Sequence, residues 1–239
     1  MQNEGIQINK YISSSGYCSR READKLIEQG RVMINDKVAK LTQKVTDSDS
    51  VSVDFEYIKK KKVQAVYMAF NKPIGITSTT DTNDKTNIIS FINYPKRIFP
   101  IGRLDKDSEG LILLTNDGDI VNKILRAENN HDKEYLVTVN KGITQEFINH
   151  MSNGVEILGT TTLKCKVKQE SGKKFRIILK QGLNRQIRRM CEALGYDVQS
   201  LVRIRIMNIH LDKLQTGKWR YLSQTEIAEL ENSLRDSSK

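Results

Sequence analysis

The chain has 239 residues, 38% hydrophobic and 28% charged, and its 39 Lys and Arg against 29 Asp and Glu give a formal net charge of +10. That apolar share supports a packed core and excludes intrinsic disorder, while the cation excess favours a polyanion, nucleic acid ahead of an anionic membrane, as partner. No apolar run approaches the roughly 20 residues of a membrane span, and the polar N-terminus lacks the continuous apolar stretch of a secretory signal. A cytoplasmic protein with one small and one medium unit is therefore expected.

Ile8, Tyr11 and Ile12 recur at helical spacing. Ser19-Arg20-Arg21-Glu22 has the form of a capping box, opening a second helix with Ala23, Leu26 and Ile27 on one side that stops at Gly30. Val32 with Ile34, and Val51 with Val53, alternate like strands, and Asn35-Asp36 is a polar turn between them. Residues 6–58 thus read as a helix, helix, small-sheet unit. Lys59 to Lys62 is an unbroken basic run, and residues 59–65 read as a linker. A second domain is expected over residues 66–235. Strand-like stretches at residues 66–70, 135–139, 175–179 and 202–206 alternate there with helices at 145–151 and 185–194, which end at Gly154 and Gly195, and a last helix opened by the capping box Ser223-Gln224-Thr225-Glu226. The mixture has no regular βαβ repeat, so the expected class is α+β with a mixed, largely antiparallel sheet flanked by helices.

Three stretches could carry chemistry. Residues 100–118 form a dense polar loop bounded by Gly102 and Gly110 between apolar strand ends, where scaffolds place catalytic groups; a charged turn closing a hairpin is the alternative. Residues 181–190 hold three arginines. On a helix Ile187, Met190, Cys191 and Leu194 form one apolar stripe, Arg185 and Arg189 share another face, and Arg188 projects between them; a solvated basic face would look the same. Strict alternation over residues 201–206 puts Arg203 and Arg205 on one face of a strand. His131, His150 and His210 lack ligand spacing, so no metal is expected, and no GxGxxG or GxxxxGK occurs, so neither is a nucleotide cofactor. Cys18, Cys165 and Cys191, odd in number and without CxxC spacing, are expected as reduced, mostly buried thiols.

At these residues the chain resembles a family. Gly102-Arg103-Leu104-Asp105, Ser108-Glu109-Gly110-Leu111 and Leu114-Thr115-Asn116-Asp117-Gly118 are similar to the catalytic motif of pseudouridine synthases of the RsuA/RluB/RluE/RluF branch. Asn71-Lys72-Pro73-Ile74-Gly75 resembles the first motif of that branch, Lys133-Glu134-Tyr135 the motif of its active-site tyrosine, and residues 181–190 its arginine motif. Residues 8–53 resemble its S4 RNA-binding domain. Residues 122–126, 130–135 and Arg205-Ile206-Met207-Asn208 are most similar to the RluF group, which acts on large-subunit rRNA.

The resemblance implies an isomerase that converts a specific uridine of 23S rRNA to pseudouridine by base flipping, without a cofactor and as a monomer. Asp105 would attack the base at carbon 6 or the ribose at its anomeric carbon. Tyr135 would stack on the target base, and Arg188 would pair with Asp105, holding it ionised while the flipped base excludes water. Lys10, Arg20, Arg21 and Arg31 of the S4 domain would contact RNA, together with Lys72, Arg103, Arg185, Arg189, Arg203 and Arg205 of the catalytic domain. A tRNA anticodon stem-loop or small-subunit rRNA is the alternative target, and a non-catalytic S4 RNA-binding protein the alternative function.

Overall fold

The computed structural model describes residues 5–58, 64–125 and 131–235. The basic run Lys59 to Lys62 lies outside these, as do Arg126 and Asn130. The chain divides into two compact units, Met1–Ala65 and Val66–Lys239.

The first unit runs β1 (Ile6–Gln7), α1 (Ile8–Ser14), α2 (Arg20–Glu28), β2 (Val32–Ile34), β3 (Lys37–Val38), β4 (Lys44–Val45), β5 (Val51–Val53) and β6 (Glu56–Ile58). The capping box that opens α2 is formed in full: Ser19 Oγ accepts from the Glu22 N–H, and Glu22 accepts from the Ser19 N–H in return. Ala23 and Ile27 of α2 pack with Ile8, Tyr11 and Ile12 of α1 and with Val32, Val51 and Val53 of the sheet, whose order is β3-β2-β5-β6. Asn35 and Asp36 both have positive φ, as the tight turn between β2 and β3 requires.

The second unit runs β7 (Tyr67–Lys72), α3 (Ile88–Ile92), β8 (Phe99–Ile101), β9 (Glu109–Thr115), α4 (Gly118–Leu125), β10 (Lys133–Val139), α5 (Gln145–Asn153), β11 (Glu156–Ile157), β12 (Thr160–Thr161), β13 (Lys166–Ser171), β14 (Lys174–Leu179), α6 (Gln186–Ala193), β15 (Val198–Ile206), β16 (Ile209–His210), β17 (Trp219–Tyr221) and α7 (Gln224–Ser233). Its sheet follows the order β13-β14-β10-β15-β9-β7-β17, with β8 beside β9 and β16 beside β15. Every pairing in it is antiparallel except that of β9 with β15, so the sheet is mixed and the class is α+β.

β9 shows why residues 111–114 are apolar without a break. Leu111 and Leu113 pack with Ile120 and Ile124 of α4 and Leu230 of α7, while Ile112 and Leu114 pack with Met68, Phe70 and Ile88 on the other face. A strand covered on both faces cannot alternate. Elsewhere α5 and α6 lie on β10 and β14, with Phe147, Met151, Ile187, Met190 and Cys191 against Val137, Val139, Phe175 and Ile177.

Two expectations need correction. Cys191 is buried, but Cys18 and Cys165 are only half-buried; burial pushes the Cys165 thiol up to about 11 and that of Cys191 to about 12. Arg203 and Arg205 do not share a face. The register of β10 on β15 shifts between Glu134, opposite Arg205, and Tyr135, opposite Arg203, which leaves Ile204 as an extra residue. One extra residue turns the strand over, so Arg203 faces with Tyr135 and Arg205 with Glu134.

Candidate active site

Residues 102–108 form the loop between β8 and β9, and Asp105 sits at its centre with a side chain 39% exposed. Short polar loops of this kind stay put only if their backbone groups find partners. Ser78 supplies two: its Oγ donates to the Leu104 carbonyl at 2.7 Å and accepts from the Leu104 N–H at 3.1 Å, in a buried setting. Gly75, at φ +87, donates its N–H to the Lys106 carbonyl at 2.7 Å. Asp105 closes the turn itself, its carbonyl accepting from the Ser108 N–H. Arg188 Nη2 donates to the Asp107 carbonyl at 2.9 Å and to Ser108 Oγ at 3.2 Å. Arg203 Nη1 donates to the Arg103 carbonyl at 3.3 Å.

The loop forms one wall of a cavity of about 540 Å³. Asp105, Tyr135, Arg185 and Arg188 all line it, together with Arg103, Arg203 and Lys133. One half-exposed carboxylate, one phenol and several cations thus meet around a space within the usual range for a small-molecule site, ~300–1,000 Å³. Arg203 and Tyr135, two of its lining residues, belong to a row in cross-strand register, Lys72 opposite Gly110, Gly110 opposite Arg203, and Arg203 opposite Tyr135. Gly110 is required there: at φ +107 a Cβ would stand 2.4 Å from the Arg203 carbonyl oxygen.

The arginines are arranged differently from the expectation. The guanidinium that reaches Asp105 is that of Arg185, whose Nη1 stands 3.9 Å from Oδ2, while Arg188 holds the loop backbone and lies 3.4 Å from Asp107 Oδ2. The cause is local. Arg185 is the N-cap of α6, not its first residue, and adopts φ +50, so it leaves the helical face it would otherwise share with Arg189. It turns inward to fork onto Asp107 at 3.0 and 2.8 Å, which holds the Asp107 carboxyl below its usual range. Arg189 instead folds back onto Asn184.

Other expected RNA contacts are also committed within the protein. Arg203 is buried and donates to the Leu111 carbonyl at 2.6 Å. Arg205 is paired with Glu134, which Arg176 holds from the other side. Arg31 forks onto Asp54. Lys72 is fully buried, its ammonium donating to the carbonyls of Pro73 and Ile76 at 2.9 Å each. Arg20, Arg21 and Arg103 are exposed, and Lys10 is half-buried.

Residues 66–193 match the RNA pseudouridylate synthase family, and residues 8–51 match the S4 domain. The chain belongs to the RNA pseudouridylate synthase family. It is 55% identical over 239 residues to the dual-specificity RNA pseudouridine synthase RluF of Escherichia coli (strain K12), covering 100% of this chain and 82% of that one. It is 36% identical to the ribosomal large subunit pseudouridine synthase B of Bacillus subtilis (strain 168), covering 98% of each. A crystal structure of a pseudouridylate synthase superposes with a TM-score of 0.70 at 28% identity, over 94% of this chain and 99% of the other. The chain is thus an isomerase acting on RNA, and the expected likeness to its branch is borne out.

For a pseudouridine synthase the motifs divide by physical task. The front of the long motif, residues 102–108, is the loop around Asp105. The back is scaffold: Asn116 Oδ1 accepts from the Val66 N–H, and Asp117 Oδ1 accepts from the Asp119 N–H at the start of α4. The first motif curls around the Lys72 ammonium and ends at Gly75, which supports the loop. Ser78 and Lys133 were missed as supporting or lining residues. A lone serine in a polar stretch carries no signal, whereas Lys133, two residues before Tyr135 on a strand, could have been placed on the same face by spacing.

Proposed function

We propose that this pseudouridine synthase isomerises a uridine of 23S rRNA, with Asp105 as the nucleophile. The observation that carries this reading is the cavity itself, where Asp105 and Tyr135 meet among cations on a loop pinned by buried hydrogen bonds. A target base must leave its stack to reach Asp105, at a cost of a few kcal/mol, which favours loops and junctions over duplex. Asp105 bonds to C1′ or to C6, the bond from C1′ to N1 breaks, the base turns, a bond from C1′ to C5 forms as the carboxylate is released, the C5 proton leaves and N1 gains one. Product and substrate are isomers, so the balance requires no oxidant and no donor of atoms. Tyr135 offers its ring to the base, and Arg185 keeps a positive charge near the carboxylate. The large-subunit enzyme of Bacillus subtilis supports the rRNA assignment. The dual specificity of the Escherichia coli relative supports acceptance of a second structured RNA, for which a tRNA anticodon stem-loop is our choice.

Asp105→Asn tests the reading. Incubated with 23S rRNA fragments and with tRNA, both tritiated at C5 of uridine, the wild-type chain is expected to release tritium into water from each. The variant is expected to release none while retaining its RNA affinity, which rests on phosphate contacts elsewhere. Residual activity within tenfold of wild type removes Asp105 from the nucleophile role.

A further inference from the structure

The cavity contains more positive charge than its lone half-exposed carboxylate requires. Arg203 is 4% exposed. Its Nε and Nη1 are used by the carbonyls of Leu111 and Arg103, but its Nη2 is buried with no hydrogen-bond partner. An orphaned buried donor is costly, and a persistent one calls for an explanation. Lys133 stands beside it on the same wall. It lies two residues before Tyr135 on β10, lines the cavity, and donates to the His131 carbonyl at 3.3 Å, a bond that uses one of the three N–H donors of an ammonium. Burial, and then the charge of Arg203, push the Lys133 ammonium down to about 8. Two neighbouring cations, Arg203 buried and Lys133 half-buried, repel each other, so each is stabilised by any electron-rich group that enters between them.

The isomerisation generates such a group. If the bond from C1′ to N1 breaks first, the electron pair left on uracil spreads from N1 onto the carbonyl oxygens O2 and O4. If a carboxylate adds to C6 first, the pair moves through C5 onto O4. By either route a carbonyl oxygen of the base becomes negative inside the cavity, where donors already fixed in place stabilise it. Resting on the active-site reading above, we propose that Lys133 and Arg203 Nη2 form an oxyanion site for the uracil carbonyls, stabilising the base as it acquires charge and retaining it while it turns.

The test uses the full chain, with RNA carrying uridine or 5-fluorouridine at the target, under single-turnover conditions. Fluorine at C5 withdraws electrons and stabilises the uracil anion on its own, so it substitutes in part for the protein's cations. Consumption of the target nucleoside is read by mass spectrometry after digestion. Lys133→Gln is expected to slow consumption of uridine at least a hundredfold, with the Kd for RNA within threefold of wild type. Its slowing on 5-fluorouridine should be at least fivefold smaller, and Lys133→Arg should recover the uridine rate to within tenfold of wild type. Equal slowing on both substrates, or a loss confined to Kd, overturns the proposal. If Lys133→Gln does not fold, the ratio of the two rates in Lys133→Met, which also removes the charge, reads the same quantity, and an unchanged ratio overturns it. Asp105→Asn run alongside keeps the readings apart: an active Asp105→Asn refutes the active-site assignment, whereas an inactive one with an insensitive Lys133→Gln refutes the oxyanion site alone.

Discussion

Deleting the Ser78 hydroxyl leaves both the N–H and the carbonyl of Leu104 without their buried partner, one residue before Asp105. An unsatisfied buried group costs ~1–3 kcal/mol, whereas an exposed ion pair contributes ~0.2–1 kcal/mol. The pair of Arg185 with Asp107, at 40% and 47% exposure, belongs to the second class. The serine therefore holds the loop more firmly than that ion pair. Ser78→Ala is expected to lower Tm by several degrees and to slow single-turnover pseudouridine formation at least tenfold with RNA affinity unchanged; a rate equal to wild type would show that the loop keeps its shape without this clamp. The sequence could not reveal Ser78, because the carbonyl it holds lies 26 residues away. That Asp105, Tyr135 and Arg188 would meet at one cavity was legible, but the partner of Arg188 was not. Its geometry depends on the left-handed backbone of Arg185, which helical periodicity does not encode.

Helix α7 shows what sequence does encode well. Ser223 Oγ accepts from the Glu226 N–H, and Glu226 accepts from the Ser223 N–H, the capping box expected from four consecutive residues. Glu226 also accepts a forked pair from Arg220 at 2.8 and 2.7 Å, and Arg220 first, then the Ser223 backbone, hold its carboxyl down to about 2. A lowered carboxylate pKa adds stability that is fully present above the ordinary value of 4.5 and is lost as pH falls through 2. Thermal melts of Glu226→Gln should therefore fall below wild type at pH 7, with the gap closing between pH 4.5 and 2; a gap independent of pH would mean that the cap is held by shape and not by charge. Elements like this one were readable because their determinants are adjacent in the chain. The bulge at Ile204 was not, since nothing in β15 alone reveals that its partner strand is one residue short.

Each of the two units has its own buried clusters: residues between Ile8 and Val53 form one, and the other three lie from Val66 onward. Removing residues 1–65 should leave a cooperative thermal transition in the remainder. It should also lower the slope of log affinity against log salt by roughly 2–3, the value for about three lost phosphate contacts at ~0.7–0.9 each. Lys10, Arg20 and Arg21 are the expected contacts, since Arg31 is held by Asp54. An unchanged slope would place RNA binding wholly on the catalytic unit. The parallel pairing of β9 with β15 also sets an order in time. Leu111 waits for Arg203 across 92 positions and Asp107 for Arg185 across 78, so the Asp105 loop has no floor until those residues have been made. At ~5–20 residues per second of synthesis, that delay is roughly 5–18 s. The S4 unit is complete well before, and if the salt slope falls as expected, each newly made molecule acquires its affinity before its activity.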